Sequence, residues 1–256
     1  MDAADRPVTV TLLANAGLRI AWGRHVLLLD ALFDGDTAPF SPLPTGCLDA
    51  MCSGAPPFEN TDYLLFSHRH ADHYSPEALR RFLSRRKIRG LVLPPDAADD
   101  ALVHFLADRK VPTLLAVSGS GSILYRFGEE NASLRILPTA HLDQKYADVE
   151  HLCFLLTVGE KKLLFTGDAD YVHETFPALA GEKLTAVFLN PLFFRALSDR
   201  RLFHGHLSSE NYCVYHVPFT EDDTAHIRDT LQRDLLHWNG IGTATALTEP
   251  LQSIEL

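Results

Sequence analysis

Three histidines and one aspartate fall within six residues of this chain, in Ser67-His68-Arg69-His70-Ala71-Asp72-His73, directly after the apolar run Tyr63-Leu64-Leu65-Phe66. His68 and His70 are two apart, so on extended backbone their side chains leave the same face and can grip one ion together. Asp72 and His73 lie where the chain turns toward a helix, within reach of a second ion beside the first. Imidazole nitrogen and carboxylate oxygen suit zinc, iron or manganese better than calcium or magnesium. Thirteen histidines among 256 residues will cluster now and then. Four prescribed positions in one short segment, however, arise by chance in only about one such chain in several hundred. Metal ligation is therefore the reading that constrains the rest.

Three later segments carry similar chemistry. Thr139-Ala140-His141-Leu142-Asp143 follows the apolar stretch Leu134-Arg135-Ile136-Leu137-Pro138, and Leu163-Leu164-Phe165-Thr166-Gly167-Asp168 ends a second apolar run on a carboxylate. Tyr212-Cys213-Val214-Tyr215-His216-Val217-Pro218 ends a third on a histidine. With these segments in this order, the chain resembles the metallo-β-lactamase-fold superfamily, whose HxHxDH signature matches residues 68–73. The resemblance runs from about Val8 to His216. It implies an α/β fold, an αββα four-layer sandwich with metals at one edge. It also implies two divalent ions, with zinc favoured and manganese or iron as alternatives. His68, His70 and His141 would hold one ion, Asp72, His73 and His216 the other, with Asp168 bridging both. Asp30, at the end of an apolar strand, matches the superfamily's aspartate that fixes the ring of a ligand histidine. Asp72 and Asp168 are the residues expected to take part in catalysis, Asp72 by also orienting the attacking hydroxide.

Each assignment has a rival. Gly-Asp is ordinary turn chemistry, so Asp168 taken alone could be a turn residue. His151 competes with His141, but it opens the strand Leu152-Cys153-Phe154-Leu155-Leu156 and is read as a strand residue. His204 and His206, in Phe203-His204-Gly205-His206, compete with His216 and are read as part of a loop bordering the cleft. Asp143, Tyr146, His204 and His206 are all placed where a proton donor to the leaving group could sit, and none stands out.

A chain of 256 residues can bury roughly three quarters of the surface it exposes when unfolded, so residues 1–256 are expected to form one domain without staples. Cys47, Cys52, Cys153 and Cys213 make no paired CxxC pattern, and the last two sit in apolar runs where a thiol packs as a small hydrophobe. The first residues, Met1 to Pro7, lack the basic start and apolar centre of a signal peptide, and no run is long enough to span a membrane. A cytoplasmic protein with no membrane partner is expected. A net charge of −10 disfavours charge-driven attachment to nucleic acid. Arg80, Arg81, Arg85, Arg86, Lys87 and Arg89 run against that average; they are read as a solvated helix end complementing the helix dipole.

The apolar periodicity predicts an antiparallel opening meander over Val8 to Leu13, Leu18 to Trp22 and His25 to Leu29. A helix from Ser75-Pro76, a strand at 91–93, a helix from Asp96 to about Asp108 and a strand at 113–115 follow as α/β units. Strands at 134–137, 152–158, 162–166 and 186–189 lead to the one before His216, and a last helix is expected to start at Thr220-Glu221-Asp222-Asp223. Its buried stripe would be Ile227, Leu231, Leu235 and Trp238. The Pro- and Gly-rich stretch from Leu32 to Asn60 is too long for an ordinary connection and reads as a lid or substrate wall. Ser118-Gly119-Ser120-Gly121-Ser122 lacks the ending of a phosphate-cradling loop and reads as a turn.

Superfamily members cleave lactams, lactones, thioesters, phosphodiesters and phosphonates, so the resemblance implies hydrolysis without naming a substrate. A hydrolase acting on a small ester, lactone, amide or phosphate ester leads. A nuclease, supported only by the arginines, and a di-iron redox or binding protein of the same fold are the alternatives.

Overall fold

The computed structural model describes residues 7–34, 37–116, 121–127, 132–171, 176–198 and 207–256. The first sheet takes β1 (Val8–Ala14), β2 (Gly17–Trp22), β3 (His25–Leu29), β4 (Thr61–Leu65), β5 (Gly90–Leu93) and β6 (Thr113–Leu115). The second takes β7 (Ile123–Phe127), β8 (Ala132–Ala140), β9 (Glu150–Val158), β10 (Lys161–Phe165), β11 (Lys183–Leu189), β12 (Ser208–Val214) and β13 (Thr243–Ala246). A last strand, β14 (Ser253–Glu255), returns to pair antiparallel with β1. The helices are α1 (Cys47–Ser53), α2 (Pro76–Arg85), α3 (Asp100–Asp108), α4 (Pro191–Ser198) and α5 (Ile227–Leu236).

Side-chain alternation explains why these strands read as unbroken apolar runs. On β4, Tyr63 and Leu65 face the second sheet, while Leu64 packs under α1, α2 and α3. On β11, Ala186 and Phe188 face the first sheet, while Val187 and Leu189 pack under α4 and α5. Central strands such as these bury both faces, so the period of two separates two apolar layers instead of an apolar face from a wet one. The result is three apolar layers between four layers of structure, an αββα sandwich. The inner layer includes Phe165 stacked on Phe188 at 4.8 Å between ring centroids.

Within the first sheet β3, β4, β5 and β6 are parallel; within the second β10, β11, β12 and β13 are parallel. Parallel strands send their carboxyl ends to the same edge, where loops replace ladder bonds and polar groups can collect. Asp30 follows β3, His68 follows β4, Asp168 follows β10, Asn190 follows β11 and His216 follows β12.

Two helix boundaries differ from the sequence expectation. The segment from Asp96 is a short 3-10 turn over Pro95–Ala97, and α3 starts afresh after Asp99, whose side chain accepts from the Leu102 amide at 2.6 Å. The final helix begins at Ile227 instead of Thr220, because Asp223 caps it from outside, accepting from the Ile227 and Arg228 amides at 2.8 and 2.9 Å. Of the expected stripe Leu231 is buried, and Ile227, Leu235 and Trp238 pack partly buried against the same layer. Helix α2 starts as its sequence suggests: Ser75 caps it and Pro76 opens it. The long stretch from Leu32 encloses α1, which alternation alone did not reveal.

The arginines at the end of α2 are structural links. Arg80 meets Asp99 at 3.2 Å, Arg81 pairs with Asp49, and Arg89 meets Asp62 at 3.1 Å. Arg86 donates to the carbonyls of Glu59, Phe58 and Met51 at 2.6, 3.3 and 3.4 Å, closing the segment after α1 onto α2. Its guanidinium lies so near Gly54 that a Cβ there would meet Nη1 at 2.1 Å, and Gly54 also takes the left-handed φ of +70 that ends α1. Arg86→Ala is expected to lower stability by about 1–2 kcal/mol through the lost carbonyl contacts. Urea unfolding measures this; an unchanged midpoint would show that the clamp contributes nothing. Among the described residues no helix is long and apolar enough to cross a membrane, and all four cysteines are free thiols.

Candidate metal centre

The loop after β4 leaves the sheet with Ser67 pinned to Asp30, whose two oxygens accept from the Ser67 amide at 2.7 Å and its hydroxyl at 2.6 Å. Asp30 is fully buried and its Oδ2 also lies 3.0 Å from His73 Nδ1. That contact places a proton on Nδ1 and turns Nε2 of His73 inward. His141 is oriented in the same manner by the Leu142 carbonyl, to which its Nδ1 donates. Ser67 Oγ lies 2.9 Å from His68 Nδ1.

The inward nitrogens converge. His68 Nε2 is 3.0 Å from His70 Nδ1, and His73 Nε2 is 3.0 Å from His216 Nε2. Asp72 Oδ2 lies 3.3 Å from His216 Nε2 and 3.5 Å from His73 Nε2. His68, His70 and His141 form one group that could hold a metal ion, and Asp72, His73 and His216 another. Asp168 lies between them, with Oδ2 at 3.5 Å from His73 Nε2 and 3.9 Å from both His68 and His141 Nε2, and Oδ1 at 3.5 Å from His216 Nε2. His68, His73 and Asp168 form a third group of ligand atoms that links the other two.

These residues fit metal ions on grounds internal to the chain. His141 Nε2 is buried and makes no hydrogen bond. The His73 and His216 Nε2 atoms approach to hydrogen-bond distance although the proton of His73 is claimed at Nδ1 by Asp30. A cation there would satisfy the orphaned His141 nitrogen and replace the proton that His73 and His216 otherwise share. The electrostatics agree. Burial pushes His68 well below the usual imidazole range, which keeps it a neutral donor. Burial would raise Asp168, but His216, His73 and His68 outweigh it and hold the carboxyl well below the usual range. For His73 burial is overcome by Asp72 and Asp30, and for His216 by Asp168 and Asp72, so both rings are held above the usual range; a cation at their Nε2 atoms would take the place of the second proton.

Three side chains that hold this cluster were not singled out from sequence as site residues. Asn15, in the turn after β1, donates to Asp72 Oδ2 at 3.1 Å, and its carbonyl accepts from the His216 amide at 3.1 Å. Asn190 donates to Asp168 Oδ1 at 3.3 Å while its own oxygen caps α4 through the Phe193 amide at 2.9 Å. His151 is a strand residue, as expected, but its buried Nε2 accepts from the Asp168 amide at 3.0 Å. Gly167 permits this: a Cβ on it would meet His151 Nε2 at 2.9 Å, and its φ is +52. The available signal was positional, because His151 pairs with Thr139 on the neighbouring strand, two residues before His141.

Of the candidate proton donors, Tyr146 packs its ring against His70 and His141, at 4.6 and 5.0 Å between centroids. Asp143 pairs with Lys145 at 3.3 Å on the exposed side. His204, His206 and residues 118–120 lie outside the described residues.

No family model and no curated protein sequence matches the chain. Solved structures do. CmlA, a diiron β-hydroxylase from Streptomyces venezuelae, superposes with a TM-score of 0.62 at 18% identity over 97% of this chain and 54% of its own. The chain thus spans about half the length of that hydroxylase. YhfI, a metallo-β-lactamase fold protein from Bacillus subtilis, gives 0.61 at 15% identity over 98% of this chain and 100% of its own. An isothiocyanate hydrolase from Delia radicum gut bacteria gives 0.62 at 15% identity over 96% and 98%. The chain has the metallo-β-lactamase fold.

Proposed function

We propose that this chain is a metal-dependent hydrolase that acts on a small ester, lactone, amide or phosphate ester. The observation that carries the reading is the convergence of two ligand triads on one carboxylate, with the buried Nε2 of His141 lacking any other partner. In this reading His68, His70 and His141 would hold one divalent ion, Asp72, His73 and His216 would hold a second, and Asp168 lies within reach of both groups. Zinc is favoured by the nitrogen-rich donor set, with manganese or iron as alternatives. Ions held there would lower the pKa of a bound water and act as Lewis acids toward the carbonyl or phosphoryl oxygen under attack.

The chain's own residues do the remaining work. Asp30 fixes the His73 ring, and Asn15 holds Asp72 against His216. Asp72 is thereby placed to accept a hydrogen bond from the attacking water and orient its lone pair. His151 and Asn190 hold Asp168 from its amide and its Oδ1. Phe40, from the long stretch before α1, meets the His216 ring edge-on at 4.8 Å and walls the site, which limits water there.

Elemental analysis combined with a panel of chromogenic esters, lactones and phosphate diesters tests the reading. Up to two transition-metal ions per chain and turnover of at least one neutral ester or lactone are expected. A metal content that stays near zero after zinc, manganese and iron are supplied at neutral pH would sink it. A second reading, a di-iron oxygenase, draws support from the likeness to CmlA; iron retained in preference to zinc, with no hydrolysis of any ester, would promote it. A nuclease reading would draw on Arg80, Arg81, Arg85, Arg86, Lys87 and Arg89, four of which, Arg80, Arg81, Arg86 and Arg89, also have partners within the fold; tight, salt-sensitive binding of RNA or DNA lost in Arg85→Ala with Arg86→Ala would promote it.

A further inference from the structure

A cleft of about 260 Å³ opens directly on Asp168 and His216. Its sides are two helices. From α4 come Pro191, Leu192 and Arg195; from α5 come Ile227, Thr230 and Asp234. Spacings of three and four put each trio on one helical face. Phe40 and Leu142 complete an apolar wall beside the metal ligands. Asn190 ties the start of α4 to Asp168. Arg195, five residues on, is about 7–8 Å further along a helix axis. There its Nε and Nη2 meet Asp234 at 3.1 and 3.4 Å, which links the two helices and ends the cleft with a neutralised pair.

We infer that this cleft binds the apolar acyl chain of a neutral carboxylic ester, and that the Arg195–Asp234 pair sets the longest chain it accepts. The inference rests on the hydrolase reading for its chemistry but not for its binding. Among the described residues that line the cleft Arg195 is the one arginine or lysine, and it is already matched by Asp234, so an anionic tail gains little from it while an apolar one covers Leu192, Ile227 and Phe40. At about 30 Å³ per water-sized group, the cleft holds about eight methylene-sized groups. Hydrolysis is then ordinary ester chemistry. Water oxygen bonds to the carbonyl carbon, the acyl–oxygen bond breaks, the acid keeps the chain seated between α4 and α5, and the alcohol departs with the other proton.

The test uses 4-nitrophenyl esters from acetyl to tetradecanoyl, together with calorimetric titration of n-octanamide into the protein with its metals. We expect kcat/KM to peak at acyl chains of about six to eight carbons and to fall beyond about ten. Ile227→Trp, which fills the cleft, should lower the octanoyl-to-acetyl ratio of kcat/KM by about tenfold or more and weaken octanamide binding by a similar factor. The double variant Arg195→Ala with Asp234→Ala should move the optimum to longer chains. If esters are cleaved with no chain-length preference, and octanamide binds wild type and Ile227→Trp alike or not at all, the cleft assignment is overturned and the hydrolase reading stands. If octanamide binds and Ile227→Trp blocks it while no ester is cleaved, the cleft assignment stands and the hydrolase reading fails. Failure of both binding and cleavage overturns both.

Discussion

Asp168→Ala is expected to remove activity by more than about a thousandfold, or about 4 kcal/mol of transition-state stabilisation, and to release at least one metal ion. The carboxylate lies between both triads, its oxygens 3.5 Å from the His73 and His216 nitrogens. In the two-ion reading its loss would remove the anion placed to offset the repulsion between neighbouring dications. The fold should survive, because Asp168 sits beyond the end of β10 and belongs to none of the apolar layers. Metal content per chain, kcat/KM and circular dichroism distinguish these effects. Two ions retained with turnover within tenfold of wild type would remove Asp168 from its bridging role. His151→Ala gives a graded comparison. Its ring only holds the Asp168 amide, so a loss of about 10–100-fold is expected, as for other supporting partners of ligands. His141→Ala should strip metal more completely than His151→Ala; the reverse order would exchange their roles.

Asp30→Asn is expected to destabilise the protein by about 3–5 kcal/mol, because breaking a buried, fully bonded carboxylate leaves its partners uncompensated. Asp30 accepts from the Ser67 amide, the Ser67 hydroxyl and His73 Nδ1, all in a fully buried setting. An asparagine keeps the shape and tolerates the positive φ of 49 at this position, so backbone strain is not the cause. It offers one oxygen where two are used and points its own N–H groups at donors. Alanine would add strain at that φ. Urea unfolding of metal-stripped protein reads the loss directly, and metal affinity should fall as well, since the His73 ring loses its fixed orientation. A midpoint shift worth less than about 1 kcal/mol would show that the Ser67 and His73 contacts to Asp30 are dispensable to folding.

Much of the candidate site was legible because its signals are local. His68 and His70 on one face, Asp72 and His73 at the following turn, and Ser75-Pro76 opening α2 all lie within nine residues. Spacings that short are fixed by backbone geometry, whatever the rest of the chain does. Asp168, His141 and His216 could be named only because a known superfamily supplies the order; their own surroundings in sequence are those of ordinary strand ends. The antiparallel opening and the later strands were legible from apolar runs, and so was the burial of both strand faces. The start of the last helix was not, because the acidic residues at 220–223 suit a first turn equally well, and Asp223 in fact caps from four residues ahead of Ile227.

What the sequence alone determined is the local chemistry of residues 68–73 and the apolar strand runs, both set by spacing and periodicity over a few residues; the layered architecture and the later ligands came with the resemblance to a known superfamily. Only the tertiary structure decided which side chains support that chemistry. Asn15 reaches Asp72 across 57 positions and Asn190 reaches Asp168 across 22, and no period in the sequence encodes such pairings. They exist because parallel strands from two sheets deliver their carboxyl ends to one edge. The same convergence sets α4 against α5 and brings Arg195 and Asp234, 39 positions apart, together in the lining of a cleft. Periodicity places a side chain on a face; the packing of that face against a distant segment selects its partner.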